Sequence, residues 1–181
     1  MASIHSKDEL LLIAPPVRDG QTIAVVWETF EASLGFGLPQ DYKWLVDTYG
    51  PGKFGNFLHV LQPYSESKYI RLDYCLARGR EVLRELSRNE EQPYPVDELV
   101  PVATTDNGDT IYWVATPIDT PDVWTITGNE ARGVRWPNFE GGIVDFLVAM
   151  LTGRRYFEIF PRSFPSSGPE FSRYEVRRRR S

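Results

Sequence analysis

The stretch from Leu34 to Phe57 limits most strongly what this chain can fold into, because it contains a helix with a clear beginning and end. It reads LGFGLPQDYKWLVDTYGPGKFGNF. Proline suits the first turn of a helix at Pro39, and Gly50 supplies a left-handed stop before Pro51. We therefore predict a helix over Pro39–Tyr49. Its apolar face has the spacing i, i+3, i+4 and i+7, at Tyr42, Leu45, Val46 and Tyr49.

The rest of the sequence predicts further helices and short strands. Periodic apolar positions indicate a helix over Thr22–Leu34 and one long helix or two shorter ones over Ser65–Asn89. A last helix has Asn138 as its N-cap and ends at Gly153. Strands are predicted at Phe54–Leu61, Leu99–Thr104, Thr110–Thr116 and Val123–Thr127, with a further short one around Val134–Trp136.

A turn at Asn107-Gly108 joins two of these strands into a hairpin. The pair is typical of a type I′ turn, in which both central residues have positive φ. The order of the elements predicts an α+β fold, a single domain in which helices pack on a mainly antiparallel, mixed sheet. We place this domain at residues 21–153, between an N-terminal extension over 1–20 and a C-terminal extension over 154–181.

Charge is distributed unevenly along the chain. Residues 1–153 hold 22 acidic and 12 basic side chains, whereas residues 154–181 hold 8 arginines and 3 acidic residues. The first part of the C-terminal extension, RRYFEIFPRSFP, is apolar enough to pack on the domain, and the Ser/Gly/Pro/Arg tail that follows it, with its arginine-rich end, is expected to be mobile. An acidic body favours a basic partner. Nucleic acid is expected to bind only weakly, at Arg177–Arg180.

Several patterns that resemble functional motifs have simpler structural interpretations. Gly50–Gly55 matches G-x-G-x-x-G, but it leaves a helix and enters a strand, the reverse of a dinucleotide loop, so we interpret it as a turn. His59 lies in an apolar strand and is expected to be a satisfied strand histidine. Asp106–Asp109 is interpreted as a hairpin turn with exposed carboxylates, because the bidentate glutamate of a calcium loop is missing. Trp113 and Trp124 are expected in the core.

Composition argues against several classes of protein. Cys75 is the only cysteine, which excludes an intramolecular disulfide and a cysteine zinc cluster. We interpret it as a small core residue, with a reactive thiol left open. No nucleophile–base constellation emerges, so we expect no enzyme activity, no metal and no cofactor. The apolar run Leu10–Ala14 is too short for a signal peptide or a membrane span, which favours a cytoplasmic location without a membrane partner.

Four segments together resemble the SUKH superfamily: LGFGLPQDYKWLVDTYG, GKFGNFLHVLQP, LVPVATTDNGDTIYWV and FEGGIVDFLVAML. Their order and spacing carry the resemblance, which runs from about Ile23 to Leu151. Better-known members of this superfamily are a fungal cell-wall assembly regulator and many bacterial immunity proteins. The resemblance implies a single α+β domain that binds another protein and has no catalytic motif. For the bacterial members it implies a cognate toxin, often a nuclease, encoded beside the immunity protein.

An acidic stretch between residues 90 and 122 is the predicted partner-binding surface, because it contains no Lys or Arg. A nuclease must present a basic cleft to hold phosphates, and an acidic body docks there by electrostatic steering. We predict that the contact includes eight carboxylates: Glu90, Glu91, Asp97, Glu98, Asp106, Asp109, Asp119 and Asp122.

The preferred function is therefore an immunity-type protein that binds and occludes a cognate bacterial polymorphic toxin. The alternative left open is a regulatory or scaffold module of the same fold that binds host proteins. The two differ in gene neighbourhood, since an immunity protein is expected immediately beside a large toxin gene.

Overall fold

The computed structural model describes residues 4–17 and 24–174. Its α-helices are α1 (Ile4–Ile13), α2 (Trp27–Leu34), α3 (Gln40–Tyr49), α4 (Leu72–Leu86) and α5 (Ile143–Leu151). Its strands are β1 (Gly52–Phe54), β2 (Leu58–Val60), β3 (Leu99–Thr105), β4 (Thr110–Val114), β5 (Thr125–Asn129), β6 (Asn138–Phe139) and β7 (Phe171–Arg173). Three short 3₁₀ helices lie at Lys68–Ile70, Val96–Glu98 and Pro121–Val123.

The seven strands form one sheet in the order β6-β5-β4-β3-β2-β1-β7. Every pair of neighbours in this order is antiparallel. The only parallel pairing in the described part of the chain is an isolated bridge between Gln62 and Arg71. The α+β fold class predicted from the sequence is confirmed.

Helices cover the two faces of this sheet, as the alternation of side chains along β4 shows. Ile111 and Trp113 lie in the main apolar core, where the Trp113 ring packs edge-on against Tyr42 of α3 with 5.0 Å between the ring centres. Tyr112 points the other way, into a smaller cluster with Leu83 of α4. Helix α4 therefore covers one face, and α3 with its neighbours α1 and α5 covers the other.

The helix predicted from the opening segment is confirmed. It begins at Gln40, directly after Pro39, and its four predicted apolar-face residues are all buried. Gly50 ends it with a φ of 66° and a ψ of −162°, so φ is positive as expected while ψ is extended and not left-handed helical. The Gly50 N–H donates to the Val46 carbonyl over 2.8 Å.

Both hairpin turns differ from the prediction. The predicted strand Phe54–Leu61 is in fact the hairpin β1–β2, because Gly55 and Asn56 both have positive φ, at 55° and 53°, and turn the chain back. In the β3–β4 hairpin only Gly108 has positive φ, at 89°. The Gly108 N–H donates to the Thr105 carbonyl over 2.9 Å, so the turn is a type I turn followed by a left-handed glycine, not type I′.

The structure has one helix that the sequence did not predict, α1, and helix α5 begins differently from the prediction. Helix α1 was not predicted, yet it buries Leu10 completely and packs on α5. Asn138 does not cap α5, because it lies in β6, and the predicted strand Val134–Trp136 is part of the preceding loop. The Val144 N–H of α5 instead donates to the carboxylate of Asp41 in α3, over 3.2 Å. A tertiary contact thus replaces the local cap.

The C-terminal extension is ordered further than expected. Its first part packs on the domain as predicted, with Phe157, Ile159 and Phe160 buried. The next part was expected to be mobile, and this is wrong for Phe171–Arg173, which pairs with β1 as strand β7. Arg177–Arg180 lies outside the described residues. None of the helices within 4–17 and 24–174 is long and apolar enough to cross a bilayer.

Candidate partner-binding surface

The three glycines of the G-x-G-x-x-G pattern hold the chain's own C-terminal extension. A Cβ on Gly52 would lie 2.4 Å from the Phe171 ring and 2.5 Å from the carbonyl oxygen of the next residue. A Cβ on Gly50 would lie 2.8 Å from the Arg173 guanidinium, and one on Gly55 would lie 2.7 Å from the ring at position 164. The segment runs from α3 into β1, as the turn interpretation requires. The Gly55 N–H donates to the Glu170 carbonyl over 2.7 Å, and the Gly50 N–H donates within its own helix.

His59 is a satisfied strand histidine, as predicted. Its Nε2 lies 2.6 Å from an Asp106 oxygen, its Nδ1 contacts the Tyr174 hydroxyl, and the His59 and Tyr174 rings are stacked. This chain of hydrogen bonds resembles a nucleophile–base–acid relay. Burial, with a smaller effect of the Asp106 charge, raises the pKa of the Tyr174 hydroxyl above its usual range. The hydroxyl therefore stays protonated, and the three side chains tie the end of β7 to β2 and to the β3–β4 hairpin.

The other chemical candidates from the sequence are equally structural. Cys75 is half-buried, and burial, with a smaller effect of Asp73, raises the pKa of its thiol, which opposes thiolate chemistry. Trp113 and Trp124 are buried in the core as predicted. Among the described residues, no cluster of three or more His, Cys, Asp or Glu side chains has a geometry that could hold a metal ion.

The predicted acidic residues divide between the two ends of the sheet. Asp106 and Asp109 precede β4, whereas Asp119 and Asp122 follow it. Five strand residues separate these pairs by roughly 17 Å. Asp97 and Glu98 lie directly before β3, whose start pairs with the end of β4, so they share the end with Asp119 and Asp122. Glu90 and Glu91 lie near the loop that follows β5, at the same end of the sheet as Asp106. The eight residues therefore do not form one continuous surface.

Asp109 does not carry an exposed carboxylate, so that expectation is wrong. The residue is 4% exposed and accepts a hydrogen bond from the Thr105 hydroxyl over 2.9 Å. Its other oxygen accepts from the Ala131 N–H over 3.1 Å. Asp109 therefore holds the loop between β5 and β6 against the hairpin, a role that arises from a contact 22 residues away in sequence.

The carboxylates at the opposite end are partly used within the molecule. Asp97 pairs with Arg84 over 2.7 Å, so the arginines of α4 compensate a charge that appeared isolated in the sequence. Asp122 accepts from the Gln40 N–H over 2.7 Å, at the beginning of α3. Asp119 is exposed and accepts a local hydrogen bond from the Thr120 hydroxyl. Glu98 is half-buried.

Two adjacent grooves open at the end of the sheet that carries Asp106. They lie on either side of the loop between β5 and β6 (residues 130–137) and have volumes of about 720 and 1010 Å³. The first is lined by Asp106, the loop, Tyr156 and residues 158–162 of the C-terminal extension. The second is lined by Glu90, Glu91 and the other side of the loop. We call these lining residues together the hairpin-end surface.

Charges on the hairpin-end surface differ in how freely they can meet a partner. Glu130 pairs with Arg135. The hydrogen bond from Arg135 and, to a smaller extent, its charge lower the pKa of Glu130. The Glu130 carboxylate therefore stays ionised, but it is held by Arg135 and is not free to meet a partner. Glu90 and Glu91 are exposed and form no ion pair within the described residues. Arg132 is exposed in the β5–β6 loop and lines both grooves, between Glu90 and Glu91 on one side and Asp106 on the other. The surface is thus mixed, with its unpaired acidic charge on the side of the second groove.

Sequence reasoning missed the apolar part of this surface. Val134 at the loop is 83% exposed, and Tyr156 in the C-terminal extension is 55% exposed. Val134 was assigned to a strand, although its surroundings, Arg-Gly-Val-Arg, are typical of an exposed turn. Tyr156 precedes a run of buried aromatic residues, so nothing local distinguished it from them.

Fold and surface together define a single-domain α+β protein with a seven-stranded antiparallel sheet and a grooved, charged end formed by loops. A sequence model of the SMI1 / KNR4 family (SUKH-1) matches residues 25–144, about two thirds of the chain. The chain therefore belongs to this family, which confirms the predicted SUKH resemblance. Neither a curated protein nor a solved structure matches it significantly. Membership of this family supports a role in protein–protein interaction in general, and the family is known for immunity or cell-wall-related roles.

Proposed function

We propose that this protein is an immunity protein that binds a basic cognate toxin through its hairpin-end surface and blocks the toxin without covalent chemistry. The observation that carries the proposal is the pair of grooves around the β5–β6 loop. There, unpaired carboxylates and exposed apolar side chains lie together. Aromatic and apolar anchors surrounded by charge are typical of protein–protein interfaces.

Charge and shape have separate roles in this mechanism. Glu90, Glu91 and Asp106 attract the basic cleft of a nuclease and speed up the encounter. Val134 and Tyr156 then bury apolar area against the toxin and slow its release. Once the protein is docked, it covers the cleft in which the toxin would hold phosphates.

The first experiment tests neutralisation. The protein is co-expressed with the product of the toxin gene expected beside its own, and cell survival and co-purification of a stoichiometric complex are measured. Survival together with a complex supports the proposal. The absence of such a gene, or a toxin that is neither bound nor neutralised, contradicts it and favours the regulatory or scaffold role.

A second experiment locates the surface by charge reversal. We expect Glu90→Lys with Glu91→Lys to lower the association rate by about tenfold at low salt, because steering is lost. The same change in net charge is introduced by Glu66→Lys with Asp119→Lys, at exposed positions outside the hairpin-end surface. Stopped-flow measurements over a range of salt concentrations compare the two variants. Equal effects of both pairs would mean that only net charge matters and that the surface is misplaced.

A further inference from the structure

The C-terminal extension builds one wall of the first groove and fixes an exposed aromatic ring there. Phe157, Ile159 and Phe160 are at most 6% exposed and anchor the segment in the core. Tyr156, immediately before them, is 55% exposed and lines the groove. A ring held by a buried segment loses little conformational entropy when a partner packs against it.

Two contacts set the position of this wall. Gly128 of β5 leaves the space that the extension occupies, since a Cβ there would lie 2.6 Å from Ile159 and 2.7 Å from Phe157. Arg135 of the β5–β6 loop donates to the Glu158 carbonyl over 2.7 Å while it also pairs with Glu130. The extension and the loop therefore hold Tyr156 in a defined place beside the groove.

The surroundings of Tyr156 suit a positively charged side chain. The Arg162 guanidinium already lies 5.8 Å from the centre of the Tyr156 ring, so the face of the ring accepts a cation. Glu158 lines the same groove and is exposed, whereas Asp106 contacts His59 and Lys53, Glu130 is engaged by Arg135 and Asp109 is buried. An aromatic face beside an open carboxylate, here that of Glu158, is a suitable receptor for a lysine or an arginine.

We infer that the first groove takes a Lys or Arg side chain of the basic partner against the Tyr156 ring, and that Tyr156 is a specificity-determining residue. This inference rests on the function proposed above. The residues that match the family end at 144, so the wall that carries Tyr156 lies outside them. The shared fold then supplies the scaffold, and the C-terminal extension selects the partner.

Two substitutions at position 156 separate a cation–π contact from simple packing. Tyr156→Phe keeps the aromatic face, and Tyr156→Leu keeps apolar bulk without it. With the full-length chain and the purified product of the adjacent toxin gene, calorimetric titration is expected to give a Kd about tenfold weaker for Tyr156→Leu. Tyr156→Phe is expected to remain within about twofold of the wild type. Thermal unfolding verifies that both variants fold like the wild type.

Arg162→Ala and Tyr69→Leu complete the test. Removal of Arg162 frees the ring, so binding is expected to be as tight as wild type or tighter. Tyr69 is the matched control, because it is 72% exposed and has a lysine 5.4 Å from its ring centre, yet lies outside the grooves. Its loss is expected to leave Kd unchanged.

The outcomes distinguish the inference from the proposed function. If Tyr156→Leu binds like the wild type while the Glu90/Glu91 variant binds more weakly, the role of Tyr156 is wrong and the function stands. Weak binding by Tyr156→Phe and Tyr156→Leu alike would overturn the cation–π contact, since the hydroxyl would then be the group that matters. A wild-type chain that binds no toxin would overturn both.

Discussion

Asp41 shows how one buried carboxylate joins two helices of this fold. It is 4% exposed and accepts a hydrogen bond from the first turn of α5, although it belongs to α3. Burial raises the pKa of Asp41 above its usual value of 3.8, with a further contribution from Asp145, and the hydrogen bonds from Val144 and Tyr42 oppose this rise. The ionised form is therefore the more costly one in the folded state.

Asp41→Asn tests this electrostatic cost through its pH dependence. A carboxyl whose pKa is raised by folding favours the folded state below its unfolded pKa of 3.8, and this contribution is lost as pH rises through the folded pKa. Urea unfolding of both proteins between about pH 4 and 7 is expected to show wild-type stability falling relative to Asp41→Asn. A constant difference for Asp41→Asn would contradict the prediction.

Gly52 is the position at which the docking of the C-terminal extension depends most on a missing side chain. Gly52→Ala places a Cβ within 2.4 Å of Phe171, so β7 must shift, and we expect a loss of about 1–3 kcal/mol in the free energy of unfolding. Gly37→Ala is the control, because its Cβ would meet nothing closer than 3.7 Å. Equal stability of the two variants in urea would show that β7 is not packed against β1 in solution.

At the scale of elements, α4 offers the clearest prediction. Gly79 lies in the middle of the uninterrupted helix Leu72–Leu86, and a Cβ there would lie 3.7 Å from the Tyr112 hydroxyl, an ordinary contact distance. Gly79→Ala is expected to raise the free energy of unfolding by about 0.5–1 kcal/mol, since glycine is costly in a helix. Gly153→Ala, at a φ of +69°, is expected to lower it by about 1 kcal/mol. A destabilised Gly79→Ala variant would mean that the space beside Tyr112 is too small.

The elements predicted correctly were those whose signals are local. Periodicity and glycine stops were sufficient for α3, and alternation with a turn pair was sufficient for the β3–β4 hairpin. The β1–β2 hairpin was missed because its strands are only three residues long, so that the apolar residues on both sides of the Gly55-Asn56 turn resemble one strand. Strand β7 was missed because three residues in a polar segment become a strand only through pairing with β1.

The proposed partner-binding surface is less visible in the sequence than the fold, because its shape depends on contacts between segments that are distant in the chain. No local pattern indicates that the acidic stretch crosses the sheet from end to end, or that Asp109 is buried and accepts a hydrogen bond from the Ala131 N–H. Glu90, Glu91 and Asp106 remain exposed, as polar connector and turn residues usually do, and their part in a partner contact stays a prediction. Tyr156 was missed because its exposure depends on how the next three side chains pack.

At the scale of the whole molecule, segments outside the family match complete the core. Leu10 of α1 and Phe171 of β7 are buried in it, and Glu9 of α1 pairs with Arg154 of the C-terminal extension. Helix α5 continues to Leu151, seven residues past the end of the match. The matched segment alone therefore leaves apolar faces of α3, β1 and the sheet uncovered.

A fragment limited to residues 25–144 is accordingly expected not to fold cooperatively. Removal of this much buried apolar area exceeds the usual margin of stability of a domain. Circular dichroism during heating and binding of a hydrophobic dye compare it with a fragment over residues 1–174, which lacks only the arginine-rich end and is expected to unfold like the full chain. A sharp thermal transition of the shorter fragment would contradict the prediction.

The β5–β6 loop is attached to the rest of the molecule at its base, by Asp109 and by the Glu130–Arg135 pair, while its residues 131–134 stay exposed. Substitutions at the exposed Arg132 and Val134 therefore disturb neither the sheet nor the core, whereas a side chain at Gly133 would meet the Glu130 carboxylate. Natural variation can concentrate at such a position, and so can a randomised library. New binding partners can then be selected on a constant scaffold, much as antibody loops diversify on a constant framework.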